Sequence, residues 1–256
     1  MGTQKRRQRE LAAREQLFIE TAMEHIRTEG LLSLKMAHIA RACDYATGTL
    51  YQHFASKEDL LLAVCASQAQ QLQNITQRVH HWQASSRDKL IAFVLGDVLF
   101  ALHHPDHLRL NQYIFTDAVW GAATQERCEQ VITAYRPQSE LAISIVEEAI
   151  AAGDIDARHQ EPIELALGQW CLSMGMHTLV HAKGVLAHLE FKQPYRWLLR
   201  HIHLYLNGLQ WQPLLDPFDE TALTNNIKHI SDALYSDLCP DALFICQDSP
   251  IEETAP

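Results

Sequence analysis

The chain has 256 residues, with 21 Lys and Arg against 31 Asp and Glu, a formal net charge of −10. That acidity argues at first sight against a nucleic-acid partner, whose phosphates are met by Lys and Arg. Apolar residues make up 47 % and charged residues 20 %, which excludes a disordered chain. The longest apolar run, Leu60 to Ala66, is far too short to span a membrane, and the charged start (Lys5, Arg6, Arg7, Arg9) lacks the apolar stretch of a signal peptide, so a cytoplasmic location is expected.

The breakers are sparse. No Pro precedes Pro105, and only Gly2, Gly30, Gly48 and Gly96 come before it. An all-β chain needs frequent turns, so this one is expected to be all-α. Leu11, Phe18, Ala22 and Ile26 share one helical face over residues 10 to 29, and Gly30 suits the C′ position that ends it. A short helix over 34 to 43 turns Met36, Ile39 and Ala40 inward, with Ser33 as its cap. After a break at Asp44-Tyr45-Ala46, a second short helix reaches Phe54. Ser56-Lys57-Glu58-Asp59 starts a helix of about 25 residues, its acids placed to suit the helix dipole.

The stretch 88 to 103 is apolar nearly all round and reads as a buried helix, with Asp97 its lone interior charge. Further helices are expected over 106 to 120 and over 124 to 152, the latter interrupted at Arg136-Pro137. Pro162 and Pro194 each sit where proline is tolerated, at a helix start, and a last helix spans 219 to 238. The tail after Gln247 reads as disordered. The six Cys form no C-x-x-C pair, and the plainest reading is free, mostly buried thiols. No phosphate loop, dinucleotide fingerprint, nucleophile elbow or zinc-protease motif occurs, so no enzyme activity and no cofactor are expected.

Residues 34 to 54, LKMAHIARACDYATGTLYQHF, carry the most information. They read as helix, sharp turn, helix. Leu50 and Phe54 anchor the second helix, leaving Thr47, Thr49, Tyr51, Gln52 and His53 as its polar outer part. So short a helix is unstable alone, and its use lies in presenting that outer face, as a recognition helix does in the major groove.

From about Ala13 to Val64 the sequence resembles the TetR family of bacterial transcription regulators. The match lies in the first helix ending at Gly30, in Ile39-Ala40, and in Thr47-Gly48-Thr49-Leu50-Tyr51-x-His53-Phe54-x-x-Lys57-x-x-Leu60. The resemblance implies an N-terminal three-helix helix-turn-helix domain over residues 10–64, preceded by a basic arm over 1–9. It also implies a helical ligand-binding and dimerisation domain over 65–240, with a tail over 241–256. Thr47 and the Gly48 backbone would then read base edges, while Lys35, Thr49, Tyr51, Gln52, His53 and Lys57 would meet phosphates or the groove. Two departures matter. The turn reads Cys43-Asp44-Tyr45-Ala46 where the family commonly has Ala-Gly-Val-Ser, and Ala46 cannot cap the recognition helix, leaving Thr47 as an alternative cap. Asp44 tolerates the left-handed turn that Gly would make. The alternative reading makes Tyr51 and His53 filling for the helix-turn-helix core, and Lys57 a plain solvated helix start.

A two-fold operator implies a homodimer. The helices after Pro162 and Pro194 are its candidates, through Trp170, Met174, Leu198, Ile202 and Tyr205, each of which reads equally as subunit core. A pocket for a small-molecule inducer would be lined by Phe93, Asp97, Phe100, Tyr113, Phe115 and Trp120. Clustered His, such as His103, His104 and His107, leave metal sensing open, but no ligand pattern supports it and no metal is expected. The partners expected are double-stranded operator DNA, a second copy and an inducer, with no membrane. The alternatives are a regulator controlled by a protein partner without a ligand, and an all-α enzyme carrying a helix-turn-helix module.

The acidity is unevenly placed. The first 14 residues hold five basic groups and one acid, whereas residues 61 to 256 hold 12 basic groups against 23 acids. The negative charge belongs to the body of the chain and not to the segment that resembles a DNA reader.

Overall fold

The computed structural model describes residues 2–182 and 184–238. Every regular element among them is helical, and no strand occurs among the described residues. The expected tail, with Cys239 and Cys246, lies outside the described residues. In chain order the helices are α1 (Gly2–Glu29), α2 (Met36–Ala42), α3 (Thr47–Tyr51), α4 (Lys57–His81), α5 (Ser86–His103), α6 (Pro105–Ile114), α7 (Asp117–Trp120), α8 (Gln125–Ala152), α9 (Pro162–His181), α10 (Val185–His188), α11 (Pro194–Gly208) and α12 (Glu220–Leu234).

The described chain packs as two compact units, one of residues 1–71 with 104–136, the other of 72–103 with 137–256. The core of the first is continuous from α1 (Phe18, Ala22, Ile26) through α2 (Ile39, Ala40), Leu50, Phe54 and the start of α4 (Leu60, Leu61, Val64). Leu110, Ile114, Val119 and Val131 join the same cluster. Helices α6, α7 and the first turns of α8 therefore belong to the same packed body as the helix-turn-helix.

In the second unit α5 is the central element, with Leu90, Ile91, Leu95, Val98 and Leu99 at or near zero exposure. Gly96 is needed there because a Cβ would fall 2.4 Å from Ile75 Cγ2 and 2.6 Å from the Tyr235 hydroxyl. Helix α11 buries Leu198, Leu199, Ile202 and Leu206 within the unit. Gly168 on α9 likewise makes room for the Tyr205 ring, whose hydroxyl donates to the Leu165 carbonyl at 2.6 Å. Arg87 is buried at the start of α5 and donates to the carbonyls of Trp211 and His203 and to Asn207 Oδ1. Burial lowers its pKa to about 10, against the opposing pull of the Asp88 charge.

Several elements differ from expectation for local reasons. Ser33 does not cap α2. It lies in a 3₁₀ turn (Leu31–Ser33) and donates to the Gly30 carbonyl, and Lys35 takes the cap position without a side-chain bond. The helix expected over 106–120 is split at Phe115 and Thr116, where the Thr116 hydroxyl donates to the Tyr113 carbonyl. Such a bond competes with the helical ladder. Helix α8 runs on through Pro137, where an interruption is expected, and the boundary between the two units falls at that residue. The last helix stops at Leu234, and a 3₁₀ turn (Ser236–Leu238) follows. Asp219 caps it by accepting from the amides of Thr221 and Ala222. The basic segment 2–9 is helical and continuous with α1.

Candidate nucleic-acid interface

Helix α2 ends in a tight turn. Asp44 adopts φ 59°, the left-handed conformation in which Asp replaces Gly at modest cost, and the Tyr45 amide returns to the Ala40 carbonyl at 2.9 Å. Cys43 fixes the turn on α1 through its thiol, 3.1 Å from Thr21 Oγ1. Helix α3 then leaves with Leu50 and, two residues beyond its end cap, Phe54 fully buried, one helical turn apart. These two anchors turn the opposite face outward. Gly48 is exposed, with nothing within 4 Å of where a Cβ would stand, so its backbone is open to close approach. Tyr51 is half-exposed and Gln52 exposed, while Thr47 and Thr49 are partly so. Ala46 holds the cap position without a side-chain bond. Thr47 is the first helical residue and not a cap.

Lys35 is exposed beside α2, and Lys57 is the partly exposed first residue of α4. The start of α4 is firmly built. Ser56 Oγ accepts from the Asp59 amide, and Asp59 Oδ2 accepts from the Ala55 amide. Asp59 is almost completely buried, and its other oxygen accepts from both the amide and the hydroxyl of Thr124, at 2.7 and 3.0 Å.

His53 faces inward instead of toward a phosphate. Its ring is 5 % exposed, packed edge-on to Phe18, with Nδ1 3.5 Å from Glu15. It follows Leu50 by three residues, so it shares the anchoring face and not the outer one. Its carbonyl accepts from Arg127 at 3.1 Å, and the same guanidinium pairs with Glu15 at 2.8 Å and lies over the Phe54 ring. Arg127, from the first turn of α8, thus grips both α1 and the end of the α3 segment. Arg14 covers the Tyr45 ring in a similar way.

Residues 18–64 match the family model described as bacterial regulatory proteins, tetR family. The N-terminal module is a TetR-family DNA-binding domain. No curated protein matches the chain. Among solved structures it is similar to a tetR-family regulatory protein from Rhodococcus RHA1, 18 % identical, with 76 % of this chain and 96 % of that one covered at a TM-score of 0.56. It is also similar to the fatty acid degradation regulator FadR from Bacillus halodurans, 17 % identical over 76 % and 98 % at 0.55. A third likeness is to a protein of unknown function from Rhodococcus sp. RHA1, 23 % identical over 77 % and 95 % at 0.58. At such identities the likeness is one of fold, and it extends well past the TetR-type domain.

The six residues expected to line a pocket fall into both units. Tyr113 and Trp120 pack partly buried on the core that the TetR-type domain shares, and the exposed Phe115 stacks on Trp120. Phe93, Asp97 and Phe100 lie in the other unit, on α5. Asp97 lies on a partly solvent-facing edge of α5, its side chain about a third exposed, and it is partnered. Its Oδ2 lies 2.8 Å from Nε2 of the buried His177, whose Nδ1 meets the Tyr195 hydroxyl at 3.1 Å. Burial first, and the Asp97 charge second, push Tyr195 well above its ordinary value, so its hydroxyl stays protonated.

A second polar chain lies in the first unit. His107 Nδ1 meets Gln68 at 2.7 Å, and Tyr135 meets both His107 and the Cys65 thiol. Burial pushes that thiol up to about 12, so it stays protonated and unreactive. Cys43 is buried and free as well, whereas Cys171 is free and exposed. No group of three His, Cys, Asp or Glu among the described residues could hold a metal ion. No helix among them is long and apolar enough to cross a membrane.

Of the residues expected at a dimer face, Trp170 is half-exposed and Met174 partly so, whereas Leu198 and Ile202 are buried in their own unit. Tyr205 is partly exposed and bonded within the unit. The exposed apolar positions of α9 are Ile163, Leu167, Trp170 and Leu179, with Leu204 on α11. Sequence reasoning did not find Glu15, Thr124 or Arg127, nor the reach of Asp59 to Thr124, because these partners lie far apart in the chain and leave no local pattern.

Proposed function

We propose that this chain is a homodimeric transcriptional repressor that binds a palindromic operator through α2 and α3 and leaves it when a small molecule binds. The observation that carries the reading is the construction of α3. Five residues long, it is pinned by Leu50 and Phe54 and by the Cys43–Asp44 turn, and it holds Gly48, Thr49, Tyr51 and Gln52 outward. A rigid polar face of that size fits the edges of bases in a major groove. Thr47 and the Gly48 backbone are assigned to base edges; Lys35, Thr49, Tyr51, Gln52 and Lys57 to phosphates and groove walls. His53 acts from inside, holding the end of the segment.

The exposed apolar row Ile163, Leu167 and Trp170 on α9, with Leu204 on α11, supports a second copy as partner. The Asp97–His177–Tyr195 group supports a polar contact for an inducer within an apolar body, since a ligand that hydrogen-bonds Asp97 or His177 competes with their mutual bond. Residues after the TetR-type domain are assigned to regulation and dimerisation on this reading, which involves no catalytic step.

The test is selection of duplexes from a random-sequence pool by the purified full chain at moderate salt. Recovery of a two-fold symmetric site, bound by one dimer, is the expected result. A chain that retains no sequence over bulk DNA refutes the operator reading. Repression is checked by placing the selected site between a promoter and a reporter.

A further inference from the structure

The described side chains of α1 from residue 4 to residue 13 are all exposed. The earliest buried residue of that 28-residue helix is Phe18, and even Leu11 and Leu17 are over 40 % exposed. Arg14, partly buried, lies over the Tyr45 ring just ahead of α3. The segment before it carries Lys5, Arg6, Arg7 and Arg9, all exposed, with Glu10 its one acid.

Alone, this arrangement is electrostatically unfavourable. A helix N-terminus carries positive partial charge and favours acids, yet the first turn of α1 has none and four cations follow it. Lys5 and Arg9 stand one helical turn apart, at a spacing where like charges repel. Only the exposed Arg6–Glu10 pair, at 2.8 Å, offsets this, and such a pair contributes little. Little apolar burial compensates, since Leu11 is 43 % exposed. A basic, free-standing helix of this kind fits a dense polyanion.

Its place in the unit says which one. The residues that flank α3 meet α1 between Glu15 and Phe18: Phe18 packs on Tyr45 ahead of α3 and on His53 and Phe54 after it, and Glu15 lies beside His53. Residues before Arg14 continue α1 beyond those contacts. Lys5 lies nine residues beyond Arg14, about 14 Å at 1.5 Å per residue, or roughly four base pairs of duplex at 3.4 Å each. We infer that the N-terminal extension of α1 is a second DNA-contacting element, whose Lys5, Arg6, Arg7 and Arg9 bind phosphates of the duplex flanking the half-site that α3 reads. The inference rests on the DNA-binding reading above. It assigns no base specificity to the extension, only affinity, footprint length and salt dependence.

The probe is the duplex selected by the full chain, then shortened in steps outside the selected site. Binding is measured from 50 to 200 mM salt for the unaltered chain and for the full-length variant Lys5→Gln/Arg6→Gln/Arg7→Gln/Arg9→Gln, whose helix content is checked by circular dichroism. Each lost phosphate contact lowers the slope of log affinity against log salt by about 0.9. The variant is expected to show a slope shallower by roughly 2 to 4 per chain, the same preferred half-site, and no sensitivity to trimming that weakens the unaltered chain. An unchanged slope and unchanged response to trimming, with the half-site still selected, overturns the inference and leaves the operator reading standing. Failure of the unaltered chain to select any duplex overturns both. Loss of half-site preference in the variant also overturns it, since the extension would then be building the recognition domain. Sedimentation with phosphatidylserine vesicles that disappears in the variant, while the DNA slope stays the same, assigns the extension to anionic membranes and refutes the DNA assignment.

Discussion

Arg127→Met is the sharpest test of how the TetR-type domain is held. The guanidinium makes two charge-assisted hydrogen bonds, to the His53 carbonyl at 3.1 Å and to Glu15 at 2.8 Å, and lies 4.9 Å from the centre of the Phe54 ring. A hydrogen bond to a charged group contributes about 1.5–3 kcal/mol. The one to Glu15 is discounted because that carboxylate is about a third exposed. The stacking on Phe54 adds about 0.5–1 kcal/mol, much of which a methionine sulfur over the same ring retains. The net loss is about 2 kcal/mol, with the His53 carbonyl left without its donor. Two kcal/mol is roughly a thirtyfold change in an opening equilibrium. Amide exchange of His53 and Phe54, which bond to the Leu50 carbonyl at 2.9 and 3.0 Å, is expected to accelerate by that factor at neutral pH. Amides of α11 should be unchanged. Glu15→Gln alone should have a smaller effect, and the double variant should fall short of the sum by about 1 kcal/mol. Exchange at His53 and Phe54 within twofold of the unaltered chain refutes the reasoning, as does strict additivity of the two substitutions.

Three further outcomes are expected. Tyr51→Phe and Lys57→Ala should each weaken binding to the selected duplex and to unrelated duplexes by similar factors, as phosphate contacts do; titration by fluorescence anisotropy checks this. Gly96→Ala places a methyl group against Ile75 and the Tyr235 hydroxyl and should cost about 1–3 kcal/mol through overpacking, seen as a lower urea midpoint. His203 is held neutral, by burial first and the Arg87 charge second, with its pKa lowered from 6.5 to about 4. Between those values the unfolded chain binds the extra proton, so stability is whole above pH 6.5 and declines as pH falls toward 4. His203→Gln should flatten that slope in urea titrations at a series of pH values.

The parts of the site that were legible in sequence are those written in neighbouring residues. Leu50 and Phe54 give the inward face of α3, Asp44 the left-handed turn, and Ser56 with Asp59 the start of α4, each through bonds spanning a few positions. The inward turn of His53 is a matter of its angle to Leu50, which the sequence allows to be worked out but does not force. Bonds such as Arg127 to Glu15 or Asp59 to Thr124 join residues 112 and 65 positions apart. Neither end carries a pattern that names the other. Helices α9 and α11 show the same limit. Apolar residues on several faces announced that they were buried, but only the structure separates Leu198 and Ile202, covered within the chain, from Trp170, which is not.

The fit of Tyr205 into the gap left by Gly168 has a consequence for how the proposed dimer would respond to the amount of protein in a cell. It joins α9 to α11 inside a single chain, so a second copy meets a surface that is already shaped. The ordering of that surface is completed during folding of each chain, and association then follows mass action between finished bodies. At concentrations below the dimer dissociation constant, occupancy of a two-fold site then rises with the square of the protein concentration. A modest change in expression would be felt at the operator as a larger change in repression.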